Sequence, residues 1–188
     1  AALGLVLRAD LTEPSNYRAE RHFDDWLKSF DLPGISGVDT RRLTRRIRDG
    51  GAPTGCLVHA PDGVFDLDAL WQKTQDWPGL EGMDLAIQVS CRQTYQWREG
   101  TWAFARDGIN GEDSFEVEPE IKRHVVAMDF GAKRNILRNL SSLGCKVTVV
   151  PANATAEEIM AHEPDGIFLA NGPGDPAATG KYAVAEIS

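Results

Sequence analysis

Three short apolar runs in the last third of the chain predict β-strands, at 124–130, 146–150 and 167–170. Each run is flanked by polar or turn-forming residues, as expected of a strand that is buried within a sheet. Segments with helical spacing separate the runs. The resulting β-α-β-α-β order predicts a parallel sheet, because strands joined by a helix return in the same direction through right-handed crossovers.

Two segments between these strands have the pattern of helices. From Lys133 to Leu143 the apolar residues recur at helical spacing, and Gly144 provides a stop signal. After the second strand, Thr155 is followed three residues later by Glu158, which predicts a capping box at a helix start.

The earlier part of the chain has a mixed pattern of helical and extended segments, and its topology stays open. Helical spacing is found at 26–30, 41–48 and 67–73, and extended patterns are found at 35–38, 57–59 and 95–104. Within 41–48 five arginines surround two apolar positions. Such a helix is typical of a solvated face, although in an acidic chain it could also bind an acidic partner.

A stretch rich in acidic residues, glycine and proline separates the two patterns. This composition predicts an exposed linker at 107–120. We therefore expect an N-terminal domain at 1–106 and the beginning of a second domain at 121–188.

Charge and hydropathy argue against a nucleic-acid-binding protein and against a membrane-spanning one. The chain has 188 residues and a formal net charge of −8, which argues against nucleic acid as a partner because phosphate binding requires a basic surface. The apolar runs are too short to span a bilayer. Residues 1–7 are apolar but have no basic segment before them, so we do not expect a signal peptide. Because the chain begins without methionine, we expect a piece of a longer polypeptide, cut at both ends.

The cysteines and histidines lack the spacing of a metal site, so we expect no metal. Three cysteines, an odd number, fit a reduced cytoplasmic setting: Cys56, Cys91 and Cys145. Cys145 opens an apolar strand directly after a helix, where the helix dipole disfavours a thiolate. We therefore interpret it as a buried structural thiol and not as a nucleophile.

The candidate chemistry lies directly after the third predicted strand, in Asn171-Gly-Pro-Gly-Asp-Pro. Gly172 and Gly174 have no Cβ, so their backbone amides can approach a ligand closely, while Pro173 restricts the backbone between them. The carboxyl ends of parallel strands are the usual place for ligands. The same pattern is equally typical of a simple turn.

A second loop, Gly131-Ala132-Lys133, is expected at the same end of the sheet. The preceding Asp129-Phe-Gly invites comparison with protein kinases, but the other kinase motifs are missing. Lys133 and Arg134 stand at a helix start, where positive charge is unfavourable without a contact, and ordinary surface charge is the simpler interpretation.

Together these segments closely resemble the small subunit of carbamoyl-phosphate synthase. The resemblance covers nearly the whole chain, and Asp129-Phe-Gly-Ala-Lys-Arg-Asn followed by the Asn171 motif is its most specific part. The matching stretches are 37–45, 50–56, 78–86, 125–138 and 164–176.

This resemblance implies an α/β fold and a site. We expect a mixed α+β small-subunit N-terminal domain, followed by the first β-α-β-α-β of a flavodoxin-like, class I glutamine amidotransferase sheet. In that family a cysteine attacks the side-chain amide of L-glutamine, assisted by a histidine and a glutamate. The residue matching Gly172 donates its amide to the oxyanion hole, and those matching Gly172 and Gly174 bind glutamine.

The resemblance also implies a partner subunit that carries out a separate reaction. Ammonia passes to a large subunit, which uses ATP and Mg²⁺ to make carbamoyl phosphate for arginine and pyrimidine synthesis. We expect no cofactor in this chain. We also expect the nucleophile, histidine and glutamate beyond Ser188, so that this stretch alone is inactive and leaves an apolar face and a sheet edge uncovered.

Two other interpretations stay open. The chain could be a non-catalytic module that docks a large synthetase subunit. It could also be another class I amidotransferase, although the first hundred or so residues match only the synthase family, which weakens that interpretation.

Overall fold

The structure, a computed structural model, describes residues 3–104, 114–116 and 120–187 of the chain. Its contacts divide the chain into two compact units, Ala1–Gly79 and Leu80–Ser188. No helix in these described ranges is both long enough and apolar enough to cross a bilayer.

The first unit is built from short elements with little fully buried surface. Its two strands pair in parallel, and Leu27 is the only hydrophobic side chain in the described part of the unit that is almost fully buried. In chain order the elements are β1 (Leu5–Val6), α1 (Phe23–Ser29), β2 (Gly34–Ile35), α2 (Thr40–Gly50) and α3 (Leu67–Asp76).

The three helices predicted in this unit are present, with longer bounds than the apolar pattern indicated. α2 begins one residue earlier than expected because the Asp39 carboxyl group accepts the Arg42 amide as its N-cap. The strand expected at 35–38 is displaced to Gly34–Ile35. The extended segment at 57–59 is not a strand, since it pairs with no other strand in the described part of the chain.

The second unit is mixed α/β around a four-stranded sheet. The strands of the unit are β3 (Tyr95–Trp97), β4 (Glu99–Ala103), β5 (Ser114–Glu116), β6 (Arg123–Asp129), β7 (Cys145–Pro151) and β8 (Gly166–Leu169). The sheet has the order β3-β7-β6-β8, in which β6, β7 and β8 are parallel and β3 is antiparallel to β7. The helices are α4 (Ala86–Val89), α5 (Arg134–Ser142), α6 (Ala156–Met160) and α7 (Pro176–Ile187).

The predicted β-α-β-α-β order with parallel strands is confirmed. In β6, Val126 lies between Thr148 of β7 and Ile167 of β8, so the three strands are in continuous register. The capping box at Thr155 and Glu158 is also present. Its two hydrogen bonds satisfy amides at the start of α6 that have no partner within the helix.

The core of this unit lies on both faces of the sheet, because successive strand residues point to opposite sides. On one face Met128 packs with Ile159 of α6 and Ala183 of α7. On the other face Ala127 packs with Leu137 of α5. β8 is one of the two edge strands, and its Ile167 and Leu169 are about half exposed, at 49% and 45%.

The prediction of a single strand at 95–104 is wrong, because this segment forms two strands, β3 and β4. β3 extends the main sheet, while β4 pairs with β5 and packs on α5. A hydrogen bond from Trp97 Nε1 to the Glu99 carbonyl oxygen spans the change of direction. Arg138 of α5 then holds Glu99 through an ion pair of 2.7 Å.

Part of the predicted linker is ordered as β5, which pairs with β4. Its residues 107–113 and 117–119 lie outside the described residues. The domain bounds 1–106 and 121–188 therefore stay predictions.

Leu137→Ala should destabilise the protein by about 2–5 kcal/mol, because Leu137 is 2% exposed and its removal leaves a cavity between α5 and the sheet. Urea denaturation measures this loss as a lower midpoint with an unchanged slope. Leu143→Ala at the end of the same helix is the matched control. Leu143 is 74% exposed, so its loss should change the free energy of unfolding by less than about 0.5 kcal/mol. Equal effects of the two substitutions would contradict this packing.

Candidate active site

Two loops follow the carboxyl ends of β6 and β8 and lie against each other. They are residues 130–133 and residues 171–176, the second of which we call the glycine loop. A Cβ placed on Gly172 would lie 2.1 Å from the Phe130 carbonyl oxygen, and one on Gly131 would lie 3.1 Å from Pro173 Cδ. The two backbones therefore touch directly, and a side chain at Gly172 cannot be accommodated without moving a loop.

The Gly172 amide is available as a hydrogen-bond donor. Within the described ranges no atom accepts a hydrogen bond from this N–H, and Gly172 is solvent-exposed. Backbone amides are strong donors that are normally paired when buried. An exposed and unpaired amide, held rigidly next to a second loop, is therefore available to a ligand oxygen.

Gly174 occupies a position that only glycine tolerates. Its φ of +91° lies in the left-handed region, and an added Cβ would lie 2.6 Å from the Met83 carbonyl oxygen. It is half-buried, and within the described part of the chain no acceptor is bonded to its amide either. The two glycines predicted at the site are thus both required by close backbone contacts.

Asp129 at the end of β6 shapes the first loop. Its Oδ1 accepts the amides of Gly131 and Ala132 at 3.0 and 2.8 Å, and its Oδ2 accepts the Cys91 amide at 2.8 Å. Asp129 is 8% exposed, so these three donors replace the water that it loses on folding. The carboxyl group ties the loop beside Gly172 to the segment before β3.

Asp175 ends the glycine loop and caps α7. Its Oδ1 accepts the Ala177 amide at 2.8 Å, with Pro176 at the first helical position. Hydrogen bonds from the amides of Gly82 and Ala177 lower the pKa of Asp175. Asp-Pro is a familiar signal for a helix start, so the sequence could have predicted α7 at this point.

A pocket of about 290 Å³ opens beside the glycine loop. Phe130, residues 172–174, and Thr179 and Ala183 of α7 are among the residues that line it. Its size is at the lower end of the range for small-molecule sites. Within the described ranges no group of three or more His, Cys, Asp or Glu side chains is arranged to hold a metal ion.

The cysteines of this unit are poorly suited to nucleophilic attack. Burial, and then the neighbouring Asp129 carboxyl group, raise the pKa of the Cys91 thiol to about 11. At pH 7 only about one thiol in 10⁴ with such a pKa is a thiolate. Cys145 is half-buried at the amino end of β7, about 20 Å along the strand from the loops at the carboxyl end.

The basic residues at the start of α5 differ in their contacts. Arg134 lies over the Trp97 ring at 5.8 Å from its centre, which is a cation–π contact and not free surface charge. Lys133 is exposed, and its backbone amide donates to Asn171 Oδ1 over a long 3.4 Å.

Residues 82–87, which lie directly behind the glycine loop, were missed by sequence reasoning. The Gly82 amide donates a hydrogen bond to the Asp175 side chain, 93 residues away in the chain. No local sequence pattern predicts a contact over that separation.

Family models match two parts of this chain. Carbamoyl-phosphate synthase small chain, CPSase domain, matches residues 1–57, and glutamine amidotransferase class-I matches residues 126–187. Similar proteins include the carbamoyl phosphate synthase small chains of Mesorhizobium japonicum, 55% identical, and Rhizobium meliloti, 52% identical, each over 97% of this chain. That of Brucella ovis is 52% identical over 99% of this chain. The chain spans 44% of the length of each of these relatives.

Cys91 should resist alkylation by iodoacetamide at neutral pH, whereas the exposed Cys56 should react. Because a raised pKa delays thiolate formation, Cys91 labelling should accelerate with each pH increment up to about pH 11. Peptide mapping by mass spectrometry measures both sites in one sample. Labelling of Cys91 at pH 7 at the rate of Cys56 would show that its thiol is not held in the protonated form.

Proposed function

The chain belongs to the carbamoyl-phosphate synthase small-chain family, and from this premise we propose that it forms part of the glutamine-hydrolysing, ammonia-supplying subunit of that enzyme. The observation that carries the proposal is the exposed amide of Gly172 at the carboxyl end of parallel strands, which has no acceptor among the residues that the structure describes.

The chemistry of amide hydrolysis explains why such an amide matters. When a nucleophile attacks the side-chain carbonyl carbon of glutamine, negative charge develops on the carbonyl oxygen. A backbone N–H aimed at that oxygen stabilises the charge and lowers the barrier. We assign this oxyanion-hole donor to Gly172.

Rigidity of the donor supports the assignment. A donor that is already in place when charge develops does not lose free energy to reorganisation. Gly172 lies against the Phe130 carbonyl group on one side, and Asp175 ties the end of its loop to α7. Both contacts limit the movement of the amide.

Gly174 is assigned to glutamine binding together with Gly172. The adjacent pocket is of a size that suits a small amino acid. The nucleophilic cysteine, the histidine and the glutamate of the family are assigned to other residues of the complete subunit. Neither Cys91, with its protonated thiol, nor the remote Cys145 fits the role of nucleophile.

The wider context follows from the family. The sheet is proposed to be the first part of a flavodoxin-like amidotransferase domain in a cytoplasmic enzyme. Ammonia would pass to a large subunit that holds ATP and Mg²⁺ and makes carbamoyl phosphate, for arginine and pyrimidine synthesis. The match of residues 1–57 to the synthase domain favours this enzyme over other class I amidotransferases.

Gly172→Ala tests the oxyanion role in the complete small subunit assembled with its large subunit. The added Cβ collides with the Phe130 carbonyl oxygen, so the loop and its amide must shift. Glutamine-dependent synthesis of carbamoyl phosphate should fall about 10²- to 10³-fold, the usual effect of losing one oxyanion donor. Synthesis from added ammonia should be unchanged, since it bypasses this site.

Gly166→Ala is the matched control, because a Cβ at this β8 position meets no atom within 4 Å. It should leave both reactions unchanged. If Gly172→Ala lowers the glutamine and ammonia reactions equally, Gly172 has no specific role in glutamine hydrolysis.

A further inference from the structure

The segment behind the glycine loop, residues 82–87, is joined to the loop by a reciprocal pair of hydrogen bonds. The Gly82 amide donates to Asp175 Oδ2 at 2.8 Å, and the Asp175 amide donates to the Met83 carbonyl oxygen at 2.9 Å. This pair joins residues that are far apart in the chain, and it fixes the end of the loop to a separate strip of backbone.

A second link lies one helical turn further along α7. Thr179 Oγ1 donates to Asp84 Oδ1 at 3.1 Å, and the same oxygen accepts the Ile87 amide at 3.3 Å. Asp175 and Thr179 are four residues apart, so they lie on the same face of the helix start. Both therefore hold the beginning of α7 to the same segment.

Gly174 lies directly against the same segment. A Cβ added to Gly174 would lie 2.8 Å from the Leu85 amide nitrogen, in addition to its clash with the Met83 carbonyl oxygen. No side chain separates the loop from the segment. A displacement of residues 82–87 is therefore transmitted directly to the backbone that carries Gly172 and Gly174.

The next turn of α7 places another hydroxyl beside Asp84. The Tyr182 hydroxyl is buried and makes no hydrogen bond of normal geometry within the described ranges. Burial, and then the adjacent Asp84 carboxyl group, raise the pKa of Tyr182, so this hydroxyl stays protonated. Two hydroxyls of one helix, those of Thr179 and Tyr182, thus lie beside the same carboxyl group.

We propose that Asp84 and Thr179 are positioning residues for glutamine hydrolysis, which together with Asp175 clasp the glycine loop and set the direction of its amides. This inference rests on the proposed function. The Thr179 hydroxyl donates to Asp84, and we expect both side chains to act through the backbone of residues 172–174.

Thr179→Val removes the hydroxyl and keeps the shape of the side chain. In the assembled two-subunit enzyme it should lower kcat for the glutamine-dependent reaction between about 3-fold and 10-fold, the range expected for losing one hydrogen bond. The ammonia-dependent rate should stay unchanged. Thr179→Ser retains the hydroxyl and should restore kcat to within about 2-fold of the unaltered enzyme.

Thr94→Val is the matched control, since it makes the same change at an exposed threonine of the same unit and should not change kcat. The double variant Thr179→Val, Asp84→Ala should be no slower than Asp84→Ala alone, because both changes break one link. Thermal melting of each variant shows whether it is folded at the assay temperature. If Thr179→Val is not folded at that temperature, Asp84→Ala alone tests the link.

The outcomes distinguish a failure of the proposed function from a failure of the proposed clasp. If the unaltered assembled enzyme makes no carbamoyl phosphate from glutamine, the proposed function fails. If it uses glutamine and Thr179→Val matches it in kcat, or if serine fails to restore a loss, the clasp is wrong while the proposed function stands.

Discussion

The structure of the candidate site depends on one steric constraint, the direct contact between the backbone at Gly172 and the Phe130 carbonyl group. A Cβ at that position would lie 2.1 Å from the carbonyl oxygen, closer than any two non-bonded atoms of this kind can approach. The contact arises because β6 and β8 are adjacent and parallel, so their carboxyl ends open into loops at the same edge. Glycine at 172 lets these loops meet, and their meeting holds an unpaired amide at a fixed place.

The sheet provides the frame that makes such a contact reproducible. β6, one of its two interior strands, contributes side chains to the core on both faces, with Met128 on one and Ala127 on the other. β6 is therefore held by packing from both sides, and its last residue, Asp129, can direct the following loop with three hydrogen bonds. Tight packing of this kind transmits small displacements instead of absorbing them.

Much of the second unit could be predicted from local patterns, and the limits of that prediction have physical causes. Strands at 124–130, 146–150 and 167–170 are evident because each is a short, mostly apolar run, and the cap at Thr155 depends on residues three positions apart. The division of 95–104 into β3 and β4 was not predictable, because the alternating pattern is the same whichever sheet a strand joins. The support from Asp84 behind Gly174 was also hidden, since it depends on a contact between distant parts of the chain. Family resemblance gave the two glycines a chemical meaning that their spacing alone left undecided between a ligand cradle and a turn.

The link between Gly82 and Asp175 has a consequence for the order in which the protein folds. It closes a loop of 93 residues, and the entropy lost in closing a long loop must be recovered by contacts that form later or at the same time. Local elements such as α5 and the capped start of α6 form on far shorter timescales than contacts of this range. We therefore expect the link that fixes the glycine loop to form after these local elements.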